Sequence, residues 1–147
     1  MQAMNVIKLD ASTRTQLTDP CNTGECLRQG ITDGLSKTLR AAIIKFPHGD
    51  GNKPHTHAGD QLLIVVDEPG CVSEGIVRTE SGEERLIHAG DCVFFPAGEV
   101  HTHGAAPGKD FVNYSFMSIT PEQAGQKYFT TQVAETWDAF FENRKNK

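Results

Sequence analysis

At 147 residues the chain has room for one domain with its own core and no need of disulfide staples. Its net charge of −5, with no basic stripe, argues against an electrostatic nucleic-acid binder, and its longest apolar run, Leu62 to Val66, is too short to cross a bilayer as a helix. The start, MQAMNVIKLD, lacks the basic stretch, apolar run and cleavage site of a secretory signal, so a cytoplasmic location without membrane partners is expected.

In chain order the pattern predicts short strands separated by turn residues. Weak strand signals cover 5–9 and 25–31, and a stronger one runs over 37–46 to Pro47. QLLIVV at 61–66 reads as a buried strand stopped by DEPG. EGIVRT at 74–79 and RLIH at 85–88 form a predicted hairpin around Gly82, followed by strands at 92–96, 100–105 and 110–119. Only the end looks helical: within TTQVAETWDAFFENRK, Val133, Trp137 and Phe140/Phe141 recur at helical spacing after a threonine cap. The expected role of that aromatic stripe is packing on the strands. The basic ending, ENRKNK, reads as a solvated helix end. Strands at this spacing suggest a sandwich or barrel.

Four cysteines, at 21, 26, 71 and 92, do not follow a zinc-binding pattern. They read as structural thiols, Cys92 as a small buried one in a strand, with a Cys21–Cys26 redox pair as the alternative.

The histidines carry the chemical signal. Side chains of a strand alternate between faces, so His55 and His57 in KPHTHAGDQLL point the same way and can share one cation. Gly59 permits a turn, after which Gln61 can bring its carbonyl oxygen to the same point. FFPAGEVHTHG repeats the spacing with His101 and His103, whereas His48 and His88 read as ordinary surface histidines. Imidazole suits zinc, copper, iron and nickel, and the amide oxygen is a harder, neutral ligand.

These stretches resemble the cupins. The first cupin motif is matched by Gly49, five residues, His55-Thr56-His57, three residues and then Gln61 in the usual glutamate position, with a late closing Gly70. The second is matched by Gly90, five residues, Pro96-Ala97-Gly98, two residues and His101, with Ala105 where asparagine is common. The resemblance implies an all-β, double-stranded β-helix (jelly-roll) barrel over 36–119, preceded by N-terminal strands at 1–35 and followed by a short C-terminal helical extension at 120–147. It carries His55, His57, Gln61 and His101 to the metal-ligand positions, for one divalent ion such as Mn, Fe, Ni or Zn. The glutamine variant with HTHGAAP looks most like manganese-dependent hydroxynitrile lyases and the cupins associated with carboxymuconolactone decarboxylases. In that group the second histidine lies beside the metal as an acid/base candidate, here His103. Thr102 stands where the group often has tryptophan and Asn113 where it tends to have histidine; both are candidate pocket residues. Phe95, Phe116 and Met117 are read equally as pocket lining or core.

Three neutral imidazoles and a neutral amide leave a cation its full charge, which favours Lewis-acid work on a small organic substrate. His103 is the expected proton acceptor. A lyase is therefore the first reading, with a quercetinase-like iron dioxygenase and a non-catalytic binding cupin as alternatives. A homodimer joined through edge strands is the expected assembly.

Overall fold

The computed structural model describes residues 4–147. Strand signals become two antiparallel sheets packed face to face. The larger contains β1 (Thr15–Gln16), β2 (Leu27–Gly30), β3 (Leu39–Phe46), β5 (Gln61–Val66), β8 (Cys92–Phe95) and β10 (Phe111–Ser118), in the order β1-β2-β3-β10-β5-β8. The smaller contains β4 (His55–Thr56), β6 (Glu74–Thr79), β7 (Glu84–His88), β9 (His101–Ala105) and β11 (Thr131–Gln132), in the order β11-β4-β9-β6-β7. The result is the expected jelly roll, followed by two helices, α1 (Pro121–Ala124) and α2 (Trp137–Lys145).

Alternation decides which side chains face inward. In β5, Gln61, Leu63 and Val65 are buried while Leu62 is exposed, so Gln61 shares the inner face with two core residues. Leu63, Val65, Phe46, Phe95 and Phe111 join in one inner core. Each such side chain contributes about 1.5–3 kcal/mol by leaving water. Two residues of that core, Phe46 and Phe95, lie against His103 and His101 respectively, so the core borders the polar residues of the site.

Four expectations change. Residues 5–9 form no strand, and Met4 and Val6 are exposed. The C-terminal helix starts only at Trp137, because Thr136 is its cap and accepts from the Ala139 amide. Thr131 and Gln132 instead pair with Thr56 and His55, so Val133 lies outside the helix. Cys92 is exposed rather than buried. Cys21 and Cys26 are buried free thiols, pushed by burial up to about 11 and about 12 respectively, which keeps them protonated. The aromatic stripe behaves as expected: Phe140, Trp137 and Phe141 pack with Val100 and Ala134 against the barrel.

Candidate metal centre

His55 on β4 lies directly opposite His101 on β9, which brings the two histidine motifs together. The Gly98 amide donates to the His57 carbonyl at 3.0 Å, and the Ala97 amide to Asp60 at 2.9 Å, so the segment after the first histidine pair is tied to the turn before the second. His55, His57, Gln61, His101 and His103 are all buried. His101 stacks on Phe95 at 4.0 Å between ring centroids, which fixes its plane.

Each of three imidazoles is oriented by a backbone carbonyl. The Nδ1 atoms of His55, His57 and His101 reach the carbonyls of Lys53, Gly59 and Glu99 at 2.8, 3.0 and 2.9 Å. A carbonyl can only accept, so Nδ1 carries the hydrogen and Nε2 keeps the lone pair in the neutral ring. The Nε2 atoms of His57 and His101 each lie 3.0 Å from Gln61 Oε1, whose own amide nitrogen donates to Ser115 at 2.9 Å. Lone pairs of two imidazoles therefore face lone pairs of a carbonyl oxygen, an arrangement that a cation between them satisfies. This is also how metal-binding histidines are held, with the second ring nitrogen donating to a carbonyl.

Burial keeps His55, His101 and His103 neutral. Burial, with the neighbouring imidazoles adding to it, pushes His55 down to about 4 and His101 down to about 3. His103 is held well below the ordinary range, again chiefly by burial.

His103 differs from the other three. Its backbone amide donates to Asn52 Oδ1 at 3.0 Å, which fixes the Asn52 amide, and Asn52 Nδ2 then lies 3.3 Å from His103 Nε2. Because the amide nitrogen can only donate, His103 Nε2 accepts and the ring hydrogen sits on Nδ1, which is buried without a partner among the described residues. The close approach has a simple cause. A Cβ on Gly104 would come 2.5 Å from the Gly51 Cα, so two glycines let the loop carrying Asn52 lie against β9.

The remaining sequence candidates fall in different places. Thr102 points to the outer face of β9, where its hydroxyl accepts from Trp137 Nε1 at 3.0 Å, so it lies away from the imidazoles and is not a pocket residue. Asn113 is fully buried on β10, and neither amide atom has a partner among the described residues. Met117 lines the cavity above the imidazoles, which has a volume of about 110 Å³, and Phe95 belongs to the core beneath. Sequence reasoning missed Asn52, Ser115 and Arg40. The Gly51/Gly104 pair was the one local signal for the first, and the alternation of β10 and β3 for the other two.

By position, the nitrogens of His55, His101 and His103 all lie within 4.8 Å of one another, and these three histidines could hold a metal ion. The donor set of soft-to-borderline imidazoles and one amide oxygen fits a divalent transition ion.

The cupin domain model matches residues 42–115. An (R)-mandelonitrile lyase of Granulicella tundricola is 44% identical over 69 residues, covering 47% of this chain and 49% of that protein. A germin-like protein of Arabidopsis thaliana is 33% identical over 72 residues, covering 44% of this chain and 31% of that protein. The chain thus spans about half the length, or less, of the curated relatives it matches. A cupin-like protein of Thermotoga maritima superposes with a TM-score of 0.68 at 21% identity, covering 87% of this chain and 91% of that one. The polyketide cyclase RemF of Streptomyces resistomycificus gives 0.68 at 14% identity, covering 95% and 94%. Both structural likenesses speak to the fold alone. With the jelly roll, both histidine motifs and the domain match in agreement, the chain belongs to the cupin family.

Proposed function

We propose that this protein is a metal-dependent lyase that cleaves a carbon–carbon bond next to a hydroxyl-bearing carbon. The observation that carries the reading is the convergence of the His57 and His101 Nε2 atoms on Gln61 Oε1, with the Nδ1 atoms of His55, His57 and His101 each engaged by a carbonyl. His55, His57, His101 and Gln61 would hold one divalent ion of the Mn, Fe, Ni or Zn type. When bound, the ion supplies Lewis acidity at the substrate oxygen, undiminished by any carboxylate ligand. In overall balance, the hydroxyl of a carbinol loses its proton and its carbon becomes a carbonyl. The bond to the departing carbon group breaks, that group leaves with the electron pair, and it ends protonated.

The chain's own residues would orient and polarise. Ser115 holds Gln61 with its carbonyl oxygen toward the imidazoles. His103 would offer Nδ1–H as a neutral hydrogen-bond donor to oxygen on which charge develops, a role that needs an imidazole rather than an imidazolium. The expectation of a proton acceptor at this ring gives way to that of a donor, since Asn52 uses the Nε2 lone pair. The mandelonitrile lyase relative supports the reaction type.

The test is to load the protein with Mn, Fe, Ni or Zn and supply mandelonitrile or 4-hydroxy-2-oxobutanoate, following benzaldehyde or formaldehyde. Metal-dependent aldehyde release from either probe is expected. Oxygen uptake by the iron form without aldehyde release from any form would replace the lyase reading with an oxygenase.

A further inference from the structure

Arg40 stands in the same cross-strand row as Gln61. Arg40 on β3 pairs with Met117 on β10, and Met117 pairs in turn with Gln61 on β5. Residues directly opposite in adjacent strands project to the same face, so all three point into the barrel, and Arg40 and Gln61 lie two strand spacings, or about 10 Å, apart at the backbone. Both line the cavity that holds His55, His57 and His103.

The charge around Arg40 is only partly offset, by Asp33 nearby and by Asp19 on the cavity wall. Its neighbour Arg28 has a carboxylate, Asp33, held by two bonds of 2.7 and 2.8 Å. Arg40 is half-buried and has no ion-pair partner among the described residues. Its terminal nitrogens donate to the carbonyls of Gln126 and Lys127 at 3.2 and 3.4 Å, and the guanidinium lies over Phe129 at 5.0 Å. Those contacts tie the 126–129 segment across the barrel mouth but neutralise no charge. Burial first, and then the proximity of Arg28, pull the Arg40 pKa below its ordinary value, and Asp33 opposes them only in part. A latch to two carbonyls does not require a cation that is disfavoured in this way. The metal ligands below are neutral as well, so a bound divalent ion would add positive charge to the same cavity.

We infer that the substrate carries a carboxylate, which Arg40 binds while a hydroxyl or carbonyl oxygen of the same molecule reaches the metal centre. A short hydroxy- or oxo-acid meets both requirements. Arg40 has donors left after its two carbonyl bonds, and a guanidinium fork suits a planar carboxylate better than a point charge does. This rests on the metal-dependent reading above and narrows it from carbinols in general to acids.

The experiment compares lactate with lactamide, its neutral counterpart, by calorimetry on the zinc-loaded protein, with zinc content measured in every sample. Lactate is expected to bind about tenfold more tightly than lactamide, the effect of one charge-assisted hydrogen-bonded pair. Arg40→Gln should abolish that preference at unchanged zinc content. Arg40→Lys, which keeps the charge without the fork, should retain part of it, and serves also if the glutamine variant does not fold. Equal binding of lactate and lactamide by the wild-type protein would overturn the assignment. So would an undiminished preference in zinc-loaded Arg40→Gln or Arg40→Lys, which would give the carboxylate to the metal alone and leave the metal reading standing. If the wild-type protein takes up no zinc, the same comparison is made with the manganese-, iron- or nickel-loaded form, and failure to take up any of the four would sink both.

Discussion

Asn52 holds His103 at two points: its carbonyl oxygen accepts the His103 backbone amide at 3.0 Å, and its amide nitrogen lies 3.3 Å from the ring Nε2. The first contact orients the amide and the second selects the Nδ1–H form of the ring. In protein labelled with 15N at histidine and loaded with zinc, His103 should give the nitrogen shifts of that form. Asn52→Asp presents an acceptor to Nε2 and should reverse the pattern, whereas an unchanged pattern would mean that Asn52 does not choose the tautomer.

His103→Ala should lower lyase turnover by about 10²–10³, the usual cost of losing one oxyanion donor. The pH–rate profile of the wild-type protein should contain no limb that disappears in this variant. A limb lost with His103 would restore the ring to the role of general base.

Acidification should destabilise the metal-free protein. The folded-state values of about 4 for His55 and about 3 for His101 lie below the ordinary 6.5, so the unfolded chain binds protons first. Their stabilising contribution is complete above the unfolded value, declines as pH falls below 6.5, and is lost through the folded values. Each group can contribute a slope of at most about 1.4 kcal/mol per pH unit. Urea midpoints should therefore drop between about pH 7.5 and about pH 5, a window above the carboxylate range. A flat midpoint there would contradict the buried neutral imidazoles.

Thr102→Val removes the acceptor of the Trp137 indole on the outer face of β9. The expected cost is about 1 kcal/mol, or about 2–4 °C in melting temperature, with metal content and turnover unchanged. A loss of turnover without a loss of stability would return Thr102 to the pocket.

Gln61→Glu replaces a neutral oxygen with a negative one beside the His57 and His101 rings. Metal binding should tighten and lyase turnover should fall, because the carboxylate offsets part of the ion's charge. Turnover that rises with occupancy would count against Lewis-acid chemistry.

The legible part of this protein was what strand periodicity and motif spacing encode. Gln61, Leu63 and Val65 alternate in the sequence as they do in the barrel, and His55 and His101 come from glycine- and proline-marked turns that the fold sets opposite each other. What remained hidden depends on contacts between distant segments. Asn52 meets His103 only because Gly51 and Gly104 allow two backbones to touch. Arg40 gains meaning from a register that runs through Met117 to Gln61. Helical periodicity overreached at Val133, because residues 131–132 were drawn into pairing with His55 and Thr56. Thr102 was a candidate pocket residue because it stands where the resembling group often has tryptophan, yet alternation turns it to the opposite face, toward Trp137.

The central claim is that the ion is held by the rings whose Nε2 lone pairs are free, His55, His57 and His101, while His103 stays a donor beside it. Proximity alone groups His103 with His55 and His101. Elemental analysis of His57→Ala and His103→Ala, purified side by side, separates the two. The account predicts one divalent ion per chain in wild type, most of it lost in His57→Ala and retained in His103→Ala. Retention in His57→Ala with loss in His103→Ala would contradict it.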